Sequence, residues 1–276
     1  MIVSAGQNTI CVEAAKARCR KFRRRILEVT KLVQALHIGG AYSCVEIVDT
    51  IYFALMRRES DGRSPDTFLL SKGHGCMIQY AVLEELGILP RSELDQFCKG
   101  GGILGVHPDY QNPGIEASTG ALGHGLAMAV GMAYAEKAKG RDGIVYCVLS
   151  DGEAQEGSVW EATLMASSLG LGNLVVFMDN NDFQSLERTS KSHPSFYPVV
   201  EKFRAFGWES HEVPGHDSRA IYEAVVSRGG NRPLMVVCRT VKGKGVSYME
   251  NVAMWHYRSP SSAEYELAMT ELADPS

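Results

Sequence analysis

The chain has 276 residues, 45% of them hydrophobic, and a formal net charge of −4. That is enough to bury the core of one large α/β domain or two small ones, and the acidic balance argues against nucleic acid as the main partner. Seven scattered cysteines without a CxxC spacing argue against a disulfide framework or a structural zinc site; with no basic start and no run of ~18 apolar residues, the protein is expected in the cytoplasm, with no membrane contact.

In chain order, Ala15, Cys19, Phe22, Ile26, Val29, Val33 and Leu36 recur at steps of four and three, which predicts an amphipathic helix over about 12–36. Its other face carries Lys16, Arg18, Arg20, Lys21, Arg23, Arg24 and Arg25. Phe22 interrupts this basic run, so it reads as a solvated or partner-facing surface rather than an RNA site. His37 to Ser43, containing Gly39-Gly40, predicts a turn with exposed backbone before a second helical pattern at Val45, Ile47, Val48, Ile51, Tyr52 and Leu55. Phe68-Leu69-Leu70 reads as a short strand that breaks into Ser71-Lys72-Gly73-His74-Gly75. A third histidine stands in Gly105-Val106-His107-Pro108-Asp109. Ser118 to Leu126 then opens a helix rich in Ala and Met that runs to about Lys139. The small residues at its start, Gly120 and Ala121 beside Leu122, permit close approach of backbone to a ligand, although they equally suit helix packing.

The densest signal follows. Ile144 to Leu149 is a buried strand ending in Ser150-Asp151-Gly152; Ser158 to Leu169 patterns as a helix; Leu174 to Met178 is a second buried strand ending in Asp179-Asn180-Asn181. In a right-handed parallel crossover both strands end on one edge of the sheet, so Asp151 and Asn181 can face each other across a crevice. Two oxygen ligands side by side suit a hard cation such as Mg²⁺ or Ca²⁺, which fills its other positions from phosphate and water. Gly152 lets the backbone approach a phosphate, and the following helix presents free amides. The unit predicts a metal–diphosphate site, against the plain alternative of an acidic turn. Leu234 to Thr240 is another buried strand. Lys242-Gly243-Lys244-Gly245-Val246-Ser247 is a Gly-rich basic loop able to sit over phosphate but without Walker spacing, and a short helix over Glu264 to Leu272 lies in a carboxyl-terminal extension of about 258–276.

An Asp-Gly pair followed about thirty residues later by Asn-Asn resembles the thiamine diphosphate signature, and the chain from about Ala15 to His256 resembles the amino-terminal part of transketolases. The resemblance implies a single thiamine diphosphate-binding domain with a mostly parallel sheet flanked by helices. It also implies metal coordination by Asp151, Asn181 and the Phe183 carbonyl, with Mg²⁺ the expected ion and Ca²⁺ or Mn²⁺ as substitutes. Cofactor contacts carried over are His74, Gly120, Ala121, Leu122, Gly152, Glu153 and Asn181. His37, His74 and His107 match the family's SGHPGGSLS, LSxGHA and GHPE stretches and would bind substrate hydroxyls and shuttle protons, while Glu156 matches an interface Glu that couples to a partner. Departures are Ile38 for Pro, Val106 within GHPE, His124 for Gln, a divergent Leu186 to Val199, and Tyr257 for Gly after Trp255-His256. A histidine that contacts diphosphate in fused transketolases has no clear counterpart.

Thiamine chemistry also needs a carboxylic acid at the far nitrogen of the aminopyrimidine, which transketolases carry on a second α/β domain. Only thirty residues follow Val246, too few for one. The expectation is therefore one subunit of a split transketolase that transfers a two-carbon ketol unit from ketose to aldose, with a separate subunit supplying the pyrimidine pocket in a two-plus-two assembly. The alternatives are a carboligase using a pyruvate-type donor and a non-catalytic scaffold subunit.

Overall fold

Runs dominated by Val, Leu, Met and Phe become strands Thr67–Leu70 (β1), Val145–Ser150 (β2), Leu174–Asn180 (β3) and Leu234–Arg239 (β7), joined at one edge by Glu209–Pro214 (β6). The pairing order is β1-β2-β3-β7-β6, parallel throughout; Phe183–Gln184 (β4) and Glu187–Arg188 (β5) form a separate antiparallel hairpin. This computed structural model describes residues 10–34, 36–59 and 63–273; Ala35 of the expected first helix and both ends of the expected domain, 1–9 and 274–276, lie outside the described residues.

Strand residues alternate between two cores, as a sheet covered on both faces requires. Tyr146, Val148, Val175, Phe177 and Val236 face one core; Cys147, Leu149, Val176, Met178 and Val237 face the other. The first core is closed by α1 (Val12–Val29), α2 (Ile38–Ser43), α3 (Val45–Thr50), α4 (Met77–Glu85) and the segment of α5 (Arg91–Asp95). The second is closed by α6 (Gly125–Ala138), α7 (Gly157–Ser168) and, beyond the short α8 (Thr189–Ser192), α9 (Val199–Ala205). Chain return from β6 to β7 brings α10 (Ser218–Val226) to the first face, where α11 (Ser262–Glu271) also packs. Its Ser261 and Glu264 form a reciprocal capping box. All seven cysteines are free thiols, and no helix among the described residues is long and apolar enough to cross a membrane.

Three expectations for the amino-terminal third need correction. The first α-helix stops at Val29, with one tight turn over Thr30–Leu32 and extended backbone at Val33; Thr30 Oγ1 donates to Leu27 O at 2.6 Å, competing with the helix ladder. Val33 and Leu36 pack inward from beyond the helix. Gly39-Gly40 does not form a turn but lies inside buried α2. A Cβ on Gly39 would stand 2.7 Å from the Trp255 carbonyl, so glycine serves a close approach there. Nor is the basic run wholly solvated: Arg18 pairs with Asp49, Arg23 with Glu46, and Arg25 with Glu84 and Asp95.

The Arg23 pair is the most enclosed of these. Arg23 donates both terminal nitrogens to Glu46 at 2.6 and 2.8 Å, and His216 Nδ1 meets the same carboxylate at 2.8 Å. On its other side His216 Nε2 accepts the Val241 N–H at 2.9 Å. Burial opposes charge on Glu46, but Arg23 and His216 outweigh it and hold the carboxyl at about 2, below its ordinary 4.5. Removing one partner from a buried pair costs about 3–5 kcal/mol, so Glu46→Gln is expected to lower urea-unfolding stability by that amount. Because the folded carboxyl is depressed, the native chain holds this stabilisation above pH 4.5 and loses it as pH falls toward 2. An unchanged unfolding midpoint in Glu46→Gln would contradict this.

Candidate active site

The carboxyl ends of four adjacent parallel strands meet at one edge. β1 delivers Ser71 to His74, β2 delivers Asp151 and Gly152, β3 delivers Asn181, and β7 delivers Lys242. Of these, Lys72, His74, Gly152, Asn181 and Lys242, together with His37 and Gly40 from the start of α2, line a cleft of about 330 Å³, in the position where open α/β sheets bind ligands; Asp151 lies buried beside it.

Asp151 is fully buried. Its Oδ1 accepts the Gly152 N–H at 2.8 Å and its Oδ2 the Asp182 N–H at 2.6 Å; among the described residues no cationic side chain forms a salt bridge to it. Burial, and then Asp179 nearby, push its carboxyl up to about 7. Asn181, also buried, accepts the Phe183 N–H on Oδ1 at 3.1 Å and donates Nδ2 to Asp179 Oδ2 at 3.2 Å. A Cβ on Gly152 would lie 3.4 Å from the Phe183 carbonyl oxygen, so the loops after β2 and β3 are in contact. A buried carboxylate without a salt-bridge partner among the described residues, an amide oxygen and a backbone carbonyl are hard oxygen donors of the kind that fits a divalent ion whose remaining ligands come from a diphosphate.

The opposite wall is cationic. Lys242 is only 2% exposed, and its Nζ meets His256 Nδ1 at 2.9 Å. Burial and the charge of Lys72 lower its ammonium to about 8. Lys72 is buried in an ion pair with Asp179 and donates to the Gly40 carbonyl at 2.8 Å. Burial opposes charge on Asp179, yet Lys72 and the Ser43 and Thr240 hydroxyls hold its carboxyl below the ordinary range. Two enclosed lysines give the cleft a field suited to phosphate oxygens.

The expected histidines do converge. Ring centroids of His37 lie 5.2 Å from His74 and 6.5 Å from His107. Burial lowers His37 to about 4, with His107 and the two lysines adding to the effect, and holds His74 well below its ordinary value. Both are therefore neutral hydrogen-bonding groups at physiological pH, and His37 Nδ1 is buried without a partner. His107 is held from behind by Tyr80, whose hydroxyl donates to the His107 carbonyl at 2.8 Å. Gly120, at φ +128°, fits against this ring where a Cβ would come within 2.3 Å.

Other expected site residues are placed differently. Leu122 reaches the cleft while Ala121 is exposed beside it. Glu153 borders the cleft, but its carboxylate is turned into the scaffold, taking the Ser71 hydroxyl at 2.5 Å and the Gly123 N–H at 3.0 Å. Glu156 is exposed at the start of α7. Sequence reasoning assigned no role to Lys72, Asp179 or His256. His256 stands 5.1 Å from His37 and 5.9 Å from His74, ring to ring; the Trp255-His256 pair was its only signal. In the basic loop Lys242 alone enters the cleft, since Lys244 pairs with Glu250 at 3.1 Å.

The family model for the transketolase thiamine diphosphate binding domain matches residues 21–271. An apulose-4-phosphate transketolase subunit from Phocaeicola vulgatus is 37% identical over 268 residues, 95% of each chain. The 6-deoxy-6-sulfo-D-fructose transketolase subunit SqwG of a Clostridium species is 34% identical over 91% of this chain and 93% of that one. Transketolase from Leishmania mexicana superposes with a TM-score of 0.85 at 27% identity, over 96% of this chain but 41% of the solved one. With five parallel strands and Asp151, Asn181 and a cluster of histidines brought to one sheet edge in the matched region, this chain belongs to the transketolase family as a thiamine diphosphate-binding domain.

Proposed function

We propose that this chain is the diphosphate-binding subunit of a two-chain transketolase, acting on sugar-type substrates with a partner subunit that carries the pyrimidine pocket. The observation that carries the reading is the fully buried Asp151 carboxylate, without a salt-bridge partner among the described residues, at the strand edge whose neighbours Gly152, Asn181 and Lys242 line the cleft. Relatives named as transketolase subunits, matched over nearly their whole length, support the division into two chains. When bound, thiamine diphosphate supplies the nucleophilic carbon on which a two-carbon ketol unit passes from ketose to aldose. Asp151, Asn181 and the Phe183 carbonyl would hold Mg²⁺ or a similar ion, Lys242 would take diphosphate oxygens, and Gly152, without a side chain, leaves room for them. His37, His74, His107 and His256, close together, hydrogen-bond substrate hydroxyls and pass protons among ring nitrogens. Glu156 and the exposed Leu122 face the partner in a two-plus-two assembly.

Calorimetry tests this directly. The isolated chain is expected to bind thiamine diphosphate weakly and only with a divalent cation, and tightly once the partner is added, because it owns one end of the ligand. Tight binding in the presence of chelator would overturn the assignment.

A further inference from the structure

We propose that Asp179, held by Lys72, is a positioning residue that dictates which atom of the Asn181 amide faces the cleft. This rests on the reading of Asn181 as a metal ligand and assigns a task to the buried Asp179 carboxylate, which has none so far.

The pair is completely enclosed, with Lys72 and Asp179 both at 0% exposure. Buried ion pairs of this kind do not by themselves favour folding over well-packed apolar residues. Their worth lies in what a fully satisfied network orients. Here the Asp179 carboxylate accepts Lys72 Nζ, Ser43 Oγ at 2.5 Å, Thr240 Oγ1 and Asn181 Nδ2 at 3.2 Å. These partners come from the turn after β1, from α2, from the end of β7 and from the loop after β3. The Asp179 side chain is thus fixed from four directions.

An asparagine amide is nearly symmetric in shape but opposite in chemistry at its two ends. Asn181 sits between the Asp179 carboxylate, whose oxygens already take donors from Lys72, Ser43 and Thr240, and the Phe183 N–H, which can only donate, at 3.1 Å. A flipped amide would set oxygen against oxygen and N–H against N–H. The network therefore turns Oδ1 away from Asp179 and leaves its second lone pair for a cation. Lys72, Ser43 and Thr240 all donate to Asp179, so its oxygens are presented as acceptors to the Asn181 amide.

The test uses the full chain with thiamine diphosphate and reads the Mg²⁺ concentration at half-maximal thermal stabilisation. Outer partners of metal ligands are typically worth 10–100-fold in affinity, so Asp179→Asn is expected to raise this midpoint ~10–100-fold. Asn181→Asp alone, which sets two carboxylates together, should also raise it. The double variant Asp179→Asn/Asn181→Asp restores one donor facing one acceptor with the roles exchanged, and is expected to return the midpoint to within about threefold of native. A merely structural role predicts that the double variant is at least as impaired as the worse single one, and that result overturns the proposal. If Asp179→Asn does not fold, Ser43→Ala, which removes a hydroxyl touching both Asp179 and Asn181 but leaves the ion pair, gives the milder reading. A rise of several-fold supports the proposal, and an unmoved midpoint overturns it. Asp151→Ala separates the two levels: if it abolishes the Mg²⁺ response while Asp179→Asn leaves it untouched, only the positioning role fails. If Asp151→Ala has no effect, the metal site itself is wrong.

Discussion

Asp151→Ala is expected to abolish the stabilisation that thiamine diphosphate and Mg²⁺ confer, while leaving a folded chain. The carboxylate is the single anionic oxygen donor in the proposed set, and a hard cation that keeps few protein ligands cannot replace it with water at equal affinity. Outer-sphere partners alone are worth 10–100-fold, so loss of a direct ligand should exceed about 100-fold. Folding tolerates the change because burial and Asp179 already disfavour the charge. The cost is limited to the Gly152 and Asp182 N–H groups that lose an acceptor, about 1–3 kcal/mol each if no water reaches them. Scanning calorimetry with and without cofactor gives the answer. A normal cofactor-induced shift in the variant would remove Asp151 from the site.

His74→Ala and His107→Ala are expected to slow the reconstituted enzyme ~10²–10⁴-fold, the usual worth of positioned acid–base help, with thiamine diphosphate affinity nearly intact. The separation of effects follows from the geometry: phosphate and metal groups enter from β2, β3 and β7, whereas these rings project from the turns after β1 and before α6. Burial holds His37 at about 4 and His74 well below its ordinary value, so these two rings act as neutral donors and acceptors at physiological pH. Single-turnover rates together with cofactor titrations would distinguish this role; a loss of less than about threefold for both variants would leave the rings with packing alone.

Local pattern carried the sheet. β2, α7 and β3 were legible because a continuous apolar run, then a helical mix of apolar and polar residues, then a second apolar run fit into forty residues, and the crossover rule then brought Asp151 to Asn181. What escaped depended on partners remote in sequence. Arg18, Arg23 and Arg25 looked solvated because Asp49, Glu46, Glu84 and Asp95 lie between 23 and 70 positions away. Lys72 and Asp179 are 107 apart, beyond any spacing rule. The Gly pair was read from its propensity, and tertiary contact with Trp255 overrode it. His256 was visible as a residue, but Tyr257 in place of the family's glycine hid its counterpart.

The first helix looked in the sequence like outer cladding, yet through Glu46 it acts as an anchor for the far side of the molecule. Arg23 grips Glu46, Glu46 grips His216, and His216 holds the Val241 amide, one residue before the lysine that faces the diphosphate wall. Each link is short and has a fixed donor and acceptor, so the chain of four behaves as a strut running from the outer layer to the rim of the cleft. Loosening its outer end would therefore reach the backbone beside Lys242 as well as the fold's stability.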